Sequence, residues 1–188
     1  LIDQFLNPAS NQRTDKYGQD RSLFLLETAE KVSAAIGANR VGVRVSPYGV
    51  FNDMAHFDGL EDFYEKIAKG LGEMNLTYMH IADMSSMGGD FTVTASVKEK
   101  IKNAFGGAII LSGGYDAEKA EQDLEANKGA LVAFGRSFIS NPDLVYRMKN
   151  NLEMNELDFN TLYAPGAGGY VEFRVLEGQW VWPFVVFL

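Results

Sequence analysis

The sequence predicts an α/β fold built on parallel strands, and three observations lead there. Stretches with helical spacing alternate with short β-branched runs, no two runs are joined by a hairpin turn, and the last two runs end in glycine. The chain has 188 residues, enough to bury a real core as one domain. A complete (β/α)8 barrel takes about 250 residues. Only about four βα units are readable, so the candidates are the C-terminal half of a TIM (β/α)8 barrel and a small open sheet. The glycine-ended strands favour the half-barrel.

Taken in order, Leu25, Ala29, Val32 and Ile36 follow helical spacing, and Gly37 is placed to end that helix. Residues 40–46 alternate as a strand, with Val41, Val43 and Val45 on one face and Gly42, Arg44 and Ser46 on the other. A second helix carries Leu60, Phe63, Tyr64, Ile67, Ala68 and Leu71, with Asp62–Lys66 and Glu65–Lys69 spaced as i,i+4 pairs. Residues 76–81 form the next strand. Ser96 and Glu99 have capping-box spacing ahead of Ile101, Ala104 and Phe105. Residues 108–111 run as a strand into Ser112-Gly113-Gly114, residues 116–127 form a short amphipathic helix, and residues 130–134 run into Gly135-Arg136. Asn141-Pro142-Asp143 opens a final helix.

Composition narrows the function. With 17 basic and 25 acidic residues the net charge is -8, which argues against nucleic-acid or anionic-membrane partners. There is no cysteine, so thiolate chemistry and a disulfide framework are excluded, and a cytoplasmic location is the expectation. No apolar run reaches the roughly 20 residues of a membrane span. The sequence opens without Met inside an apolar stretch and reads as a piece of something longer. Two histidines and no cysteine make a zinc site a poor expectation.

The glycines carry the chemistry. Gly113-Gly114 and Gly135-Arg136 each follow a strand, where glycine lets backbone N–H groups approach an anion. A short helix beginning just after Arg136 would add its N-terminus, and the guanidinium matches two phosphate oxygens. Barrels often bind phosphate in the loops after strands seven and eight. The bland alternative is tight turns, with Arg136 capping a helix or pairing with a carboxylate.

Several stretches in order then resemble one family. Residues 11–18 (Asn-Gln-Arg-Thr-Asp-Lys-Tyr-Gly) are similar to a segment of Old Yellow Enzyme-type reductases, and Arg44-Val45-Ser46-Pro47 resembles their Arg-x-Ser-Pro strand. Ala133-Phe134-Gly135-Arg136, Asn141-Pro142-Asp143, Thr161-Leu162-Tyr163 and Gly169-Tyr170 complete the set over residues 1–170. The resemblance implies an FMN-bound barrel. It takes hydride from NADPH or NADH and gives it to the β-carbon of a small activated alkene: an enone, maleimide or nitroalkene. It places Arg44 near the pyrimidine end of the flavin, Gly113, Gly114, Gly135 and Arg136 at the FMN phosphate, and Tyr163 near flavin and substrate. Without it, Arg44 would be expected to pair with a carboxylate inside the barrel. Arg13, Thr14 and Asp15 are expected to organise a loop, or to form a local ion pair.

The resemblance also marks what is missing. The family's His-x-x-His or His-x-x-Asn pair and its proton-donating Tyr precede the stretch matching Leu1–Leu6, so no catalytic residue is expected in this sequence. His80 and His56 lack that spacing and are expected to be structural or exposed. Residues 171–188 are expected to be a divergent apolar tail. A homodimer or a complementing N-terminal half is the expected means of closing the sheet. The competing readings are a phosphate-binding barrel enzyme of another class and a non-catalytic half-barrel.

Overall fold

A computed structural model describes residues 1–84, 94–162, 164–169, 171 and 173–176. The chain divides into two compact units, Leu1–Ala133 and Phe134–Leu188.

The first unit is built on one parallel sheet. Its strands, β1 (Gly42–Val45), β2 (Tyr78–Ala82), β3 (Ala108–Ser112) and β4 (Leu131–Ala133), lie side by side in chain order. Every pairing is parallel, because each strand is reached through a helix that returns the chain to the sheet's starting edge. The helices are α1 (Ile2–Leu6), α2 (Lys16–Gln19), α3 (Leu23–Ile36), α4 (Leu60–Glu73), α5 (Ala95–Phe105) and α6 (Ala117–Glu125).

The core lies on one face of the sheet. Val43, Val45, Met79, Ile81, Ile109 and Leu111 are all buried there, as are Ile67 and Leu71 of α4 and Ile101 of α5. Each such side chain contributes about 1.5–3 kcal/mol relative to exposure. α4 and α5 pack closely because α4 carries Gly72, where a Cβ would stand 2.4 Å from the Phe105 carbonyl oxygen. On α3 only Leu25 and Ala29 are buried; Val32 and Ile36, expected on the same face, are 39% and 51% exposed.

Two sequence expectations about charge and capping are corrected. Lys66 pairs with Asp20 at 3.7 Å, and Asp62 and Glu65 both face Lys100 of α5, so the acidic side of α4 serves a neighbouring helix. The capping-box reading of Ser96 fails because α5 starts at Ala95, after Thr94, two residues earlier than an N-cap at Ser96 would place it. Ser96 lies inside the first turn and its hydroxyl donates to Glu61 at 2.7 Å.

The amino-terminal residues are more structured than the sequence suggested. Asp3 of α1 accepts hydrogen bonds from the Ser46 N–H (3.0 Å) and the Tyr64 hydroxyl (3.2 Å), tying α1 to the end of β1 and to α4. Burial pushes the Asp3 carboxyl above its ordinary range despite those donors. Arg13 pairs with Asp15, whose carboxylate also caps α2 through the Tyr17 N–H at 3.1 Å. The Arg13–Asp15 stretch is thus a local turn with a local ion pair. Phe5, Tyr17 and Phe24 stack beside it.

The second unit contains α7 (Arg136–Ser140) and α8 (Leu144–Lys149). Asp143 and Arg147, one helical turn apart, form a buried ion pair at 2.7 Å. Arg147 also donates to the Glu153 carbonyl and, at 3.0 Å, to that of Arg174; Asp143 accepts from the Leu176 N–H at 3.0 Å. Asn141 accepts from the Asn155 N–H at 2.7 Å. The Asn-Pro-Asp stretch therefore knots the unit together, a role its motif did not announce. Residues 177–188 of the expected tail lie outside the described residues.

Candidate functional site

The sheet face away from the helices carries the polar side chains. Alternation along β1 turns Val43 and Val45 to the core and Arg44 to the other side, and the register sets Arg44 beside His80, which neighbours Ile110. Arg44 is exposed, whereas His80 is only 7% exposed. Burial, with a further push from the Arg44 charge, lowers the His80 imidazole from 6.5 to about 4, so it is neutral at physiological pH. Its Nε2 has no hydrogen-bond partner among the described residues. His80 is thus a buried wall of this face, and His56 is exposed against the Tyr48 ring at 5.2 Å.

At the carboxyl end of β3, Gly113 and Gly114 adopt φ of 113° and 61°, the left-handed region that favours glycine. Gly113 also lies against the chain leaving β2: a Cβ there would stand 2.3 Å from the Asp83 carbonyl oxygen and 2.7 Å from the Asp83 Cβ. Neighbouring strand ends are stitched by the Asp83 N–H donating to Ser112 O (3.3 Å) and the Ser112 hydroxyl donating to Ile81 O (3.1 Å).

Both sides of this turn are anchored. The Asp83 carboxylate is fully buried and accepts from the Thr94 hydroxyl at 2.7 Å and from the Lys98 ammonium. After the turn, the buried Tyr115 hydroxyl donates to Asp123 at 2.8 Å. Burial and that acceptor push the Tyr115 phenol well above its ordinary range. Burial pushes the Asp123 carboxyl up, but Lys128, Tyr115 and Lys119 together outweigh it and hold it below its usual range. Neither anchor was singled out in the sequence. Lys98 lies fifteen residues beyond Asp83, so no local spacing links them.

In the second unit, Gly135 precedes α7 with φ of -94°, and among the described residues no heavy atom beyond its chain neighbours lies within 4 Å of where its Cβ would be. The helix begins at Arg136 itself, one residue earlier than expected. The Arg136 guanidinium lies 5.9 Å from the centre of the Phe159 ring. Tyr163 lies outside the described residues. Among the described residues no group of three metal-ligating side chains occurs, and no helix is long and apolar enough to cross a membrane.

Residues 1–155 match the family described as NADH:flavin oxidoreductase / NADH oxidase. The chain is 37% identical over 182 residues to chanoclavine-I aldehyde reductase of Penicillium roqueforti, covering 92% of this chain and 49% of the relative. It is 35% identical over 190 residues to a probable inactive dehydrogenase of Claviceps purpurea, with the same coverage. Among solved structures, morphinone reductase superposes with a TM-score of 0.86 at 34% identity, over 95% of this chain and 48% of that one. The chain thus spans about half the length of the relatives it matches, and its sheet and helices correspond to half of a (β/α)8 barrel.

Proposed function

Since the chain belongs to the NADH:flavin oxidoreductase / NADH oxidase family of Old Yellow Enzyme-like proteins, we propose that it is the FMN-phosphate-binding part of an alkene reductase. Bound FMN would supply the two-electron chemistry, accepting hydride from NADPH or NADH and delivering it to the β-carbon of an enone, maleimide or nitroalkene.

The observation that carries this reading is the Gly113–Gly114 turn at the carboxyl end of a parallel strand. Gly113 and Gly114 are both left-handed, Gly113 has no room for a Cβ beside Asp83, and successive N–H groups in such a turn can hold an anion. The reading gives Gly113 and Gly114 of the first unit to the phosphate, and takes Gly135 and Arg136 as phosphate-binding candidates from their sequence motif alone. Arg44 would set its charge at the pyrimidine end of the flavin, where negative charge gathers on reduction. The neutral His80 beside it adds no second positive charge. Tyr163 would lie near the ring and substrate. None of these residues is given the role of proton donor in this reading, which assigns the chain to flavin binding. The proposal includes a cytoplasmic location, where reduced nicotinamides are supplied.

Fluorescence titration of the purified chain with FMN tests the reading. Saturable binding that weakens in Arg136→Ala supports it. A folded chain that leaves FMN fluorescence unchanged contradicts it.

A further inference from the structure

We propose that the buried Asp83–Lys98 pair is a positioning element for the Gly113–Gly114 turn, coupling α5 to the loop given above to the FMN phosphate. The inference rests on that reading and adds a residue pair that need not touch the ligand.

Lys98 lies on the first turn of α5 and Thr94 immediately before it, and both donate to the Asp83 carboxylate, whose side chain is fully buried. A buried carboxylate with two directed donors has one low-energy placement, because any other leaves charge unpaired in a poorly solvated site. That placement fixes the backbone of Asp83. Gly113 packs on this backbone so closely that a Cβ would fall 2.3 Å from the Asp83 oxygen. The Asp83 N–H bonds to Ser112 O at 3.3 Å, so the two strand ends move together. Tyr115, bonded to Asp123, holds the other side of the turn but touches a different helix, α6. The first glycine is therefore registered against α5 and the residue after the pair against α6. Small displacements of the Asp83 backbone pass directly to Gly113 and the N–H groups around it.

The test compares two probes, FMN and riboflavin, which differ in the phosphate. Dissociation constants are measured for the wild-type chain, Asp83→Asn, and the double variant Asp83→Asn with Lys98→Met, whose paired removal leaves no lone buried charge. Groups that orient metal ligands contribute about 10- to 100-fold in affinity, and on that scale FMN is expected to weaken by about tenfold. Riboflavin binding should be unchanged. Folding of each variant is checked by circular dichroism, and the double variant stands in if the single one is unstable. An unchanged FMN-to-riboflavin preference in a folded variant overturns the inference, as does equal weakening of both probes, the mark of a merely structural pair. A wild-type chain that binds both flavins equally sinks the phosphate assignment itself, and this inference with it.

Discussion

Replacing Gly113 by alanine asks for two unfavourable things at once. The new residue must hold φ near 113°, which a non-glycine residue does at a cost of about 1–3 kcal/mol. Its Cβ must also find room where the Asp83 oxygen now stands 2.3 Å away, and overpacking of this kind costs about 1–3 kcal/mol. The sum, about 2–6 kcal/mol, lowers the melting temperature by roughly 5–20 °C for a chain of this size. Gly135→Ala provides the internal comparison: φ is -94° and no described residue crowds the new methyl, so stability should change by less than about 0.5 kcal/mol. Differential scanning calorimetry on the two variants decides it. Equal destabilisation, or a Gly113→Ala protein as stable as wild type, refutes the view that the fold itself demands glycine at Gly113. Because Gly135→Ala spares stability, any loss of FMN affinity there reports on the ligand alone.

Three further outcomes are expected. His80 sits at about 4 when folded and 6.5 when unfolded, so below pH 6.5 the unfolded chain takes up a proton that the folded chain refuses. Stability is lost as pH falls from 6.5 towards 4, by up to about 3 kcal/mol. His80→Leu should flatten that part of the melting-temperature profile, and Arg44→Met should raise the His80 titration midpoint seen by NMR. Arg147→Met strips the partner from buried Asp143 and should cost about 3–5 kcal/mol, seen as faster limited proteolysis within residues 134–176. Arg44→Met should weaken FMN and riboflavin alike and make bound flavin harder to reduce, whereas Arg136→Ala should weaken FMN alone. A lost charge-assisted hydrogen bond of about 1.5–3 kcal/mol corresponds to roughly 10- to 150-fold.

The sheet was legible because its signals are local. Short apolar runs separated by amphipathic helices gave parallel βα units, and the alternation of Val41 to Val45 placed Arg44 on the face opposite those valines. The glycines of the two loops could be located for the same reason. What the sequence hid depends on distance along the chain. Asp83 meets Thr94 and Lys98, eleven and fifteen residues further on, Asp3 reaches Ser46 and Tyr64, and Asp62 and Glu65 turn to Lys100 of another helix instead of to lysines one turn away. Val32 and Ile36 mislead for a related reason: helical spacing marks an apolar stripe, but only packing decides how much of it is covered. The capping-box spacing at Ser96 was satisfied by a different contact, a hydroxyl donated to Glu61.

The central claim is that this chain holds a flavin by its phosphate, and phosphorus NMR of FMN with the purified protein addresses it most directly. Free FMN phosphate loses its second proton near pH 6 and its resonance moves accordingly. Held by backbone N–H groups and an arginine, the bound phosphate is predicted to give a shifted resonance that stays put as the solution crosses that pH. A bound flavin whose phosphate titrates like the free cofactor, or a folded chain that leaves the resonance unmoved, would contradict the account.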